Sequence, residues 1–391
     1  MPRVILKKNE ERRLKTGHLW VFSNEISSID SDAKDGEPVD VVTGRGNFVG
    51  RGFLNRHSLI SVRLLSRKAE QIDRKFFRSR ILRSLDHRKN MFPGSNVYRC
   101  VYSEGDFLPG LVVDRYGDYL AVQFLTKGMD NLREEITGIL IELLSPKGIV
   151  MRNDTPSREL EGLELWKGVG YGEVPDRVEV DDDGTRILVD MLEGQKTGFY
   201  LDQRENRTLL QDRVTGKSVL DCFSYTGAWS LKALSYGAQR ITLVESSNSA
   251  MALAQENMDR NGAGERVEYC RGDAFDELRR FEREGRSFDC IVLDPPSFIK
   301  NKNLIREGLS GYREINLRAM RILAPSGIIV TSSCSHHLSR EDFVRTLVLS
   351  ARDSGRSFRI ARMGSQSRDH PVLLSMKETE YLKCILLEDA V

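Results

Sequence analysis

From residue 218 onward, short apolar runs alternate with amphipathic stretches, and this alternation restricts the possible folds more than any other feature of the sequence. Ser218–Asp221, Arg240–Glu245, Val267–Gly272, Asp289–Leu293 and Gly327–Ser332 read as buried strands. The stretches near 227–236, 248–261, 274–284, 308–323 and 339–354 read as the helices between them. Strands separated by helices predict an α/β fold with a doubly wound, mostly parallel sheet. In such a sheet, ligands bind outside the carboxyl ends of the strands, near the point where strand order reverses.

The 391 residues exceed a single domain of about 150 residues, so two or three domains are expected. Residues 1–70 carry short strand signals (Val4–Leu6, Pro38–Val42, Phe48–Gly50, Leu59–Arg63) punctuated by Gly44, Gly46, Gly50 and Gly52. They predict a small β-barrel-like module with one helix near Glu10–Lys15. Residues 73–91 form an amphipathic helix with Phe76, Phe77, Ile81, Leu82 and Leu85 on one face and Arg and Lys on the other. Residues 97–180 read as a compact α+β unit. The expected boundaries are 1–72, 73–184 and 185–391.

The net charge of +2 conceals an asymmetry, because residues 1–90 hold 20 Lys/Arg against 11 Asp/Glu and the remainder is acidic. That suits a polyanion-binding module, although charge alone leaves an ordinary solvated surface equally open. No apolar run approaches membrane-spanning length and the N-terminus has no signal-peptide core, so a cytoplasmic location is expected. The six cysteines show no C-x-x-C spacing, which argues against a zinc ribbon or redox motif.

Five stretches carry chemistry. In Val219–Gly227 a strand runs into a loop with one late glycine, without the G-x-G-x-x-G of dinucleotide sites. This suits a ligand without phosphates, such as S-adenosylmethionine, and makes Asp221, Phe223, Ser224, Tyr225, Thr226 and Gly227 candidate contacts. Glu245 ends the second strand, where an acid can accept both ribose hydroxyls. Asp273 ends the third, where a carboxylate can accept from an adenine amine. Asp294-Pro295-Pro296-Ser297-Phe298 leaves the fourth strand as a rigid, extended exit, since proline fixes φ and lacks an N–H. Cys334 lies just past the fifth strand, where it reads either as a soft nucleophile or as a buried thiol. A zinc site on Cys334, His336 and His337 lacks a fourth ligand at suitable spacing. The polar segment Gly194–Arg204 offers Gln195, Lys196, Thr197, Phe199, Asp202 and Arg204 as site-lining groups, with a hairpin turn and helix cap as the alternative.

The C-terminal half resembles class I S-adenosylmethionine-dependent methyltransferases. The whole chain resembles the bacterial large-subunit ribosomal RNA cytosine-C5 methyltransferases of the RlmI type. The resemblance is carried by Gly17–Ile26, Phe107–Gly117, Gly194–Arg204 and Asp294–Phe298. It implies an RNA-binding PUA domain, a small central domain and a Rossmann-like methyltransferase domain. It also implies large-subunit rRNA, or its assembly intermediate, as partner, with room for a homodimer. Cys334 is then the nucleophile that adds to carbon 6 of cytosine, and Asp294 and Pro295 lie against the base and the cofactor. The sequence departs from many RNA cytosine-C5 methyltransferases in having Pro296 where a second cysteine stands, so the base for the final step is unassigned. Two other readings remain at this point: methylation of a nitrogen such as guanine N7, and a non-catalytic RNA-binding assembly factor.

Overall fold

The computed structural model describes residues 1–390, and the chain divides into two compact units. The first comprises Met1–Val180, Val189–Leu201 and Arg368–Thr379. The second comprises Asp181–Leu188, Asp202–Ser367 and the residues from Glu380 on. Among the described residues, no helix is long and apolar enough to cross a membrane.

The first unit holds two sheets. One has six strands in the order Trp20–Phe22, Ile60–Ser66, Phe48–Leu54, Pro38–Val42, Arg3–Leu6, Ile26–Ile29. The other has five, in the order Trp166–Gly172, Gly148–Asn153, Tyr119–Phe124, Leu111–Tyr116, Val97–Tyr102. The helix Arg74–Met91 begins where Asp73 accepts the Phe76 amide at 3.0 Å, a side-chain N-cap. Its apolar face, Phe76, Phe77, Ile81 and Leu85, joins a core with the five-stranded sheet. Phe53 and Leu65 of the six-stranded sheet enter that same core, and Phe53 stacks on Phe77 with ring centroids 6.4 Å apart. Shared burial therefore joins residues 1–180 in one compact unit, within which the six-stranded sheet also keeps a core of its own.

Two later segments belong to this unit through specific bonds. Arg152 donates to the Met191 carbonyl at 3.0 Å, and Thr197 donates to buried Asp114 at 2.6 Å. Arg88, fully buried, donates to the Asp369 carbonyl at 2.7 Å, and Met376 enters the core of the six-stranded sheet.

The second unit is built on a seven-stranded sheet: β1 (Ser218–Cys222), β2 (Arg240–Glu245), β3 (Val267–Arg271), β4 (Phe288–Leu293), β5 (Leu323–Ser333), β6 (Phe358–Gly364) and β7 (Lys383–Asp389). The order is β3-β2-β1-β4-β5-β7-β6. The first five are parallel to one another, and β7 runs antiparallel between β5 and β6. The intervening helices are α1 (Ala228–Ser235), α2 (Asn248–Arg260), α3 (Ala274–Arg283), α4 (Ile305–Ile322) and α5 (Arg340–Ser354). The expected five strands and five helices form, each within a few residues of its predicted ends. The sequence reading stops short of β6 and β7. β6 lies at the sheet edge with mostly exposed side chains and so lacks an apolar run.

Phe53→Ala removes the ring shared by both sheets of the first unit and should lower unfolding free energy by about 3–5 kcal/mol. Chemical denaturation measures this, with the exposed Phe48→Ala as a control expected to be close to neutral.

Candidate functional site

The candidate site is built on the carboxyl edge of the seven-stranded sheet. Parallel register sets its layout: Asp221 of β1 pairs with Val292 of β4, and Leu293 of β4 with Thr331 of β5. Asp294 follows Leu293 directly and Cys334 lies three residues past Thr331, so both emerge from neighbouring strands on one edge.

The loop after β1 is strained. Phe223 has φ 63° and Tyr225 φ 49°, left-handed values that cost a side chain with a Cβ roughly 1–2 kcal/mol each. Three bonds hold it. The Ser224 amide donates to the Val244 carbonyl at 3.1 Å, the Tyr225 amide donates to Glu245 at 2.9 Å, and Asn257 donates to the Thr226 carbonyl at 3.1 Å. Gly227, at φ 80°, starts α1 where a Cβ would come within 2.7 Å of Met258 Cε. Glu245 thus shapes the loop as well as facing the edge, since its other oxygen accepts the Ser247 amide at 2.8 Å. Strain maintained by surrounding bonds is typical of ligand-binding loops.

Asp221 is completely buried. One of its oxygens accepts from the Ser230 hydroxyl at 2.7 Å and from the Ser230 amide at 3.2 Å, while the other has no hydrogen-bond partner. Burial pushes its carboxyl up to about 7, with Asp294 and Glu245 adding repulsion and the Ser230 hydroxyl opposing. The Thr226 hydroxyl is likewise buried without a partner. These orphaned polar atoms, beside Glu245 and Asp294, fit a ligand that carries positive charge and hydrogen-bond donors.

Asp294 is held from two sides: Gln203 Nε2 donates to one oxygen at 2.7 Å, and Trp229 Nε1 to the other at 3.0 Å. Asn206 in turn donates to the Gln203 side-chain carbonyl at 2.6 Å. Beyond Pro296, Phe298 packs among Phe223, Phe275 and Tyr312, which anchors the exit loop.

Cys334 lies against this loop, its Sγ 3.9 Å from the Pro295 carbonyl. It is the only one of the six cysteines that is not buried. Burial pushes the Cys100 and Cys384 thiols up to about 12 and raises those of Cys222 and Cys290, so these four are inert near neutral pH. The next residue, Ser335, acts as a tie. Its hydroxyl lies 2.9 Å from those of both Ser297 and Tyr312, and it accepts the Ile299 amide at 3.2 Å. Buried Lys383, at the start of β7, donates to the Ser335 carbonyl at 2.7 Å and the Leu338 carbonyl at 2.9 Å. Burial lowers its ammonium to about 8, with Cys334 pulling the other way.

The remaining predicted residues are distributed as follows. Asp202 accepts from the Tyr381 hydroxyl at 2.6 Å. Arg204 is buried and paired with Asp182 at 3.1 Å and Asp183 at 2.7 Å. Asp273 is exposed and caps α3 by accepting the Phe275 amide at 2.8 Å. Gln195, Lys196, Thr197 and Phe199 are part of the first unit. There, Thr197 and Phe199 are buried, Tyr200 donates to Gln195 at 2.7 Å, and the Lys196 ammonium lies over the Tyr200 ring. His336 and His337 are exposed. The sequence reading missed Gln203, Trp229, Ser335 and Lys383. Gln203 stands inside the quoted polar segment, whereas nothing local marks the other three.

The comparisons with known proteins agree with this geometry. A PUA-like domain family matches residues 4–67, and a family described as conserved hypothetical protein 95 matches residues 205–360. Ribosomal RNA large subunit methyltransferase I of Shewanella amazonensis is 40% identical over 386 residues, covering 97% of this chain and 98% of that protein. The chain belongs to that family. Its namesake from Alteromonas mediterranea is 36% identical, with 98% of each covered. Among solved structures, a chain from Streptococcus mutans assigned as a SAM-dependent methyltransferase superposes with TM-score 0.85 at 23% identity, covering 99% of this chain and 100% of that one. Another, assigned as a methyltransferase and complexed with SAH, gives TM-score 0.86 at 23% identity with the same coverage. The chain thus carries a PUA-like domain ahead of a sheet of the methyltransferase type.

Because Cys334 alone among the cysteines is accessible, brief iodoacetamide treatment of the native protein should alkylate it first, as read by peptide mass spectrometry. Earlier modification of any other cysteine would contradict the burial pattern.

Proposed function

We propose that this chain methylates carbon 5 of a cytosine in large-subunit ribosomal RNA, using S-adenosylmethionine and a transient covalent bond to Cys334. Membership of the large-subunit methyltransferase family supports the RNA substrate. The observation that carries the finer reading is the juxtaposition of accessible Cys334 with the Asp294-Pro295 turn. A nitrogen methylator has no need of a thiol there.

The chain's residues fit the cofactor. The unpartnered oxygen of Asp221, the Thr226 hydroxyl and Glu245 offer acceptors to a ligand that carries an ammonium, a sulfonium and ribose hydroxyls. When bound, S-adenosylmethionine supplies an electrophilic methyl group.

Carbon 5 of cytosine is a weak nucleophile. Addition of the Cys334 thiolate to carbon 6 breaks the 5,6 double bond and moves its electron pair toward carbon 5, which can then take up the methyl group. Asp294, held in orientation by Gln203 and Trp229, is placed to share a proton with N3 as the thiolate adds, which stabilises the charge that the adduct develops there. A base not assigned among these residues takes the carbon 5 proton, and the freed electron pair restores the 5,6 double bond as the thiolate leaves. The buried Lys383 amine is bonded to the loop after Cys334 and interacts electrostatically with its thiol.

Cys334→Ala should abolish methyl transfer, by at least about a thousandfold, while leaving S-adenosylmethionine binding intact in calorimetry. Nucleoside mass spectrometry of treated rRNA should show 5-methylcytidine with the unaltered chain. Full activity of Cys334→Ala, or an N-methylated nucleoside, would overturn the reading.

Asp221 adds a pH test. Its carboxyl is neutral below about 7 and ionised above, and a cationic ligand favours the ionised form. Affinity for S-adenosylmethionine should therefore rise from pH of about 6 to about 8, with proton release on binding. Asp221→Asn should flatten that dependence.

A further inference from the structure

In the first unit, a cavity of about 400 Å³ opens between the end of the Ile60–Ser66 strand and the Arg74–Met91 helix, a size within the range of small-ligand sites. Four cations line it: Arg67, Lys68, Arg80 and Arg83. Its two acids are already engaged, since Glu70 accepts from the Ser66 hydroxyl and Asp106 takes both arms of Arg88 at 2.5 and 2.7 Å. None of the four cations forms an ion pair among the described residues. Elsewhere in this unit, by contrast, Arg51 pairs with Asp40, Arg63 with Glu104, Arg99 with Asp114, and both Arg74 and Arg78 with Glu142. Four cations that balance no carboxylate therefore share the lining of this one cavity.

An aromatic ring stands at its mouth. Phe107 is 44% exposed and adopts φ 58°, a left-handed conformation costly for a bulky residue. Arg80 braces it from behind: its guanidinium lies 4.3 Å from the Phe76 ring and 5.9 Å from the Phe107 ring, and it donates to the Phe107 carbonyl at 2.7 Å. Burial lowers the Arg80 guanidinium to about 10, so it stays charged at neutral pH. Arg67, also exposed, spends donors on the carbonyls of Leu14 and His18, which leaves Lys68 and Arg83 as the exposed cations whose side chains are not engaged in this way. A rigid exposed ring flanked by unpaired cations has the chemistry that recognises single-stranded nucleic acid, in which bases stack and phosphates pair with cations.

We propose that this cavity binds one unpaired nucleotide of the RNA strand, with Phe107 stacking on the base and Lys68 and Arg83 taking the flanking phosphates. The proposal rests on the RNA-substrate reading above but not on the position methylated or on the role of Cys334.

The test is fluorescence anisotropy of the full chain with a labelled oligocytidylate of about ten nucleotides, titrated at several salt concentrations. Phe107→Ala should weaken binding roughly tenfold with little change in salt slope, and Phe107→Tyr should restore it. Arg83→Ala and Lys68→Ala should each lower the salt slope by about 0.7, whereas Arg78→Ala, which lies outside the cavity and whose guanidinium Glu142 already engages, should lower it far less. Wild-type binding together with an unaltered Phe107→Ala affinity would overturn the site alone, as would equal slope losses in Arg78→Ala and Arg83→Ala. Failure of the wild-type chain to bind RNA would overturn the underlying reading as well.

Discussion

The chemistry of this chain depends on one backbone constraint, the parallel register of β1, β4 and β5. With Asp221 level with Val292, and Leu293 level with Thr331, every strand releases its last side chain at the same edge. Three carboxylates and a thiol therefore come together without any of them being near in sequence. Burial, with the repulsion of Asp294 and Glu245 added, raises the Asp221 carboxyl. Donors distributed around the edge engage these carboxylates: Ser230 for Asp221, the Tyr225 and Ser247 amides for Glu245, and Gln203 with Trp229 for Asp294. One oxygen of Asp221 and the Thr226 hydroxyl remain without a hydrogen-bond partner.

A second set of bonds converts this edge into a working surface. Ser335 joins the Asp294 exit loop to the Cys334 loop, and Lys383 fixes the far side of that loop from an antiparallel strand. Cys334 is thereby left partly exposed while its neighbours on both sides are buried. The other five thiols share the protein's interior and none of this setting.

How much of this was legible in the sequence depended on whether the signal was local. The alternation of apolar runs and amphipathic stretches located five strands and five helices, and with them the strand-end positions of Glu245, Asp294 and Cys334, though position alone left Cys334 open between a nucleophile and a buried thiol. Partners brought together by the fold could not. Gln203 reaches Asp294 across 91 residues and Trp229 across 65, and Lys383 reaches Ser335 across 48. Burial of Arg204 against Asp182, and of Thr197 against Asp114, is likewise a tertiary fact that a motif cannot supply. The N-terminal charge excess was visible as a count. Which of those cations are paired, as Arg51 is with Asp40 and Arg63 with Glu104, was not.

The central claim is that Cys334 bonds covalently to a cytosine of its RNA substrate, and trapping that bond tests it most directly. In substrate RNA containing 5-fluorocytidine, carbon 5 carries fluorine, which cannot leave as a proton, so the adduct should persist after methyl transfer. The account predicts a denaturation-stable protein–RNA complex whose digest places the linkage on the peptide containing Cys334. Turnover of normal RNA with no trapped complex, or a linkage at any other residue, would contradict it.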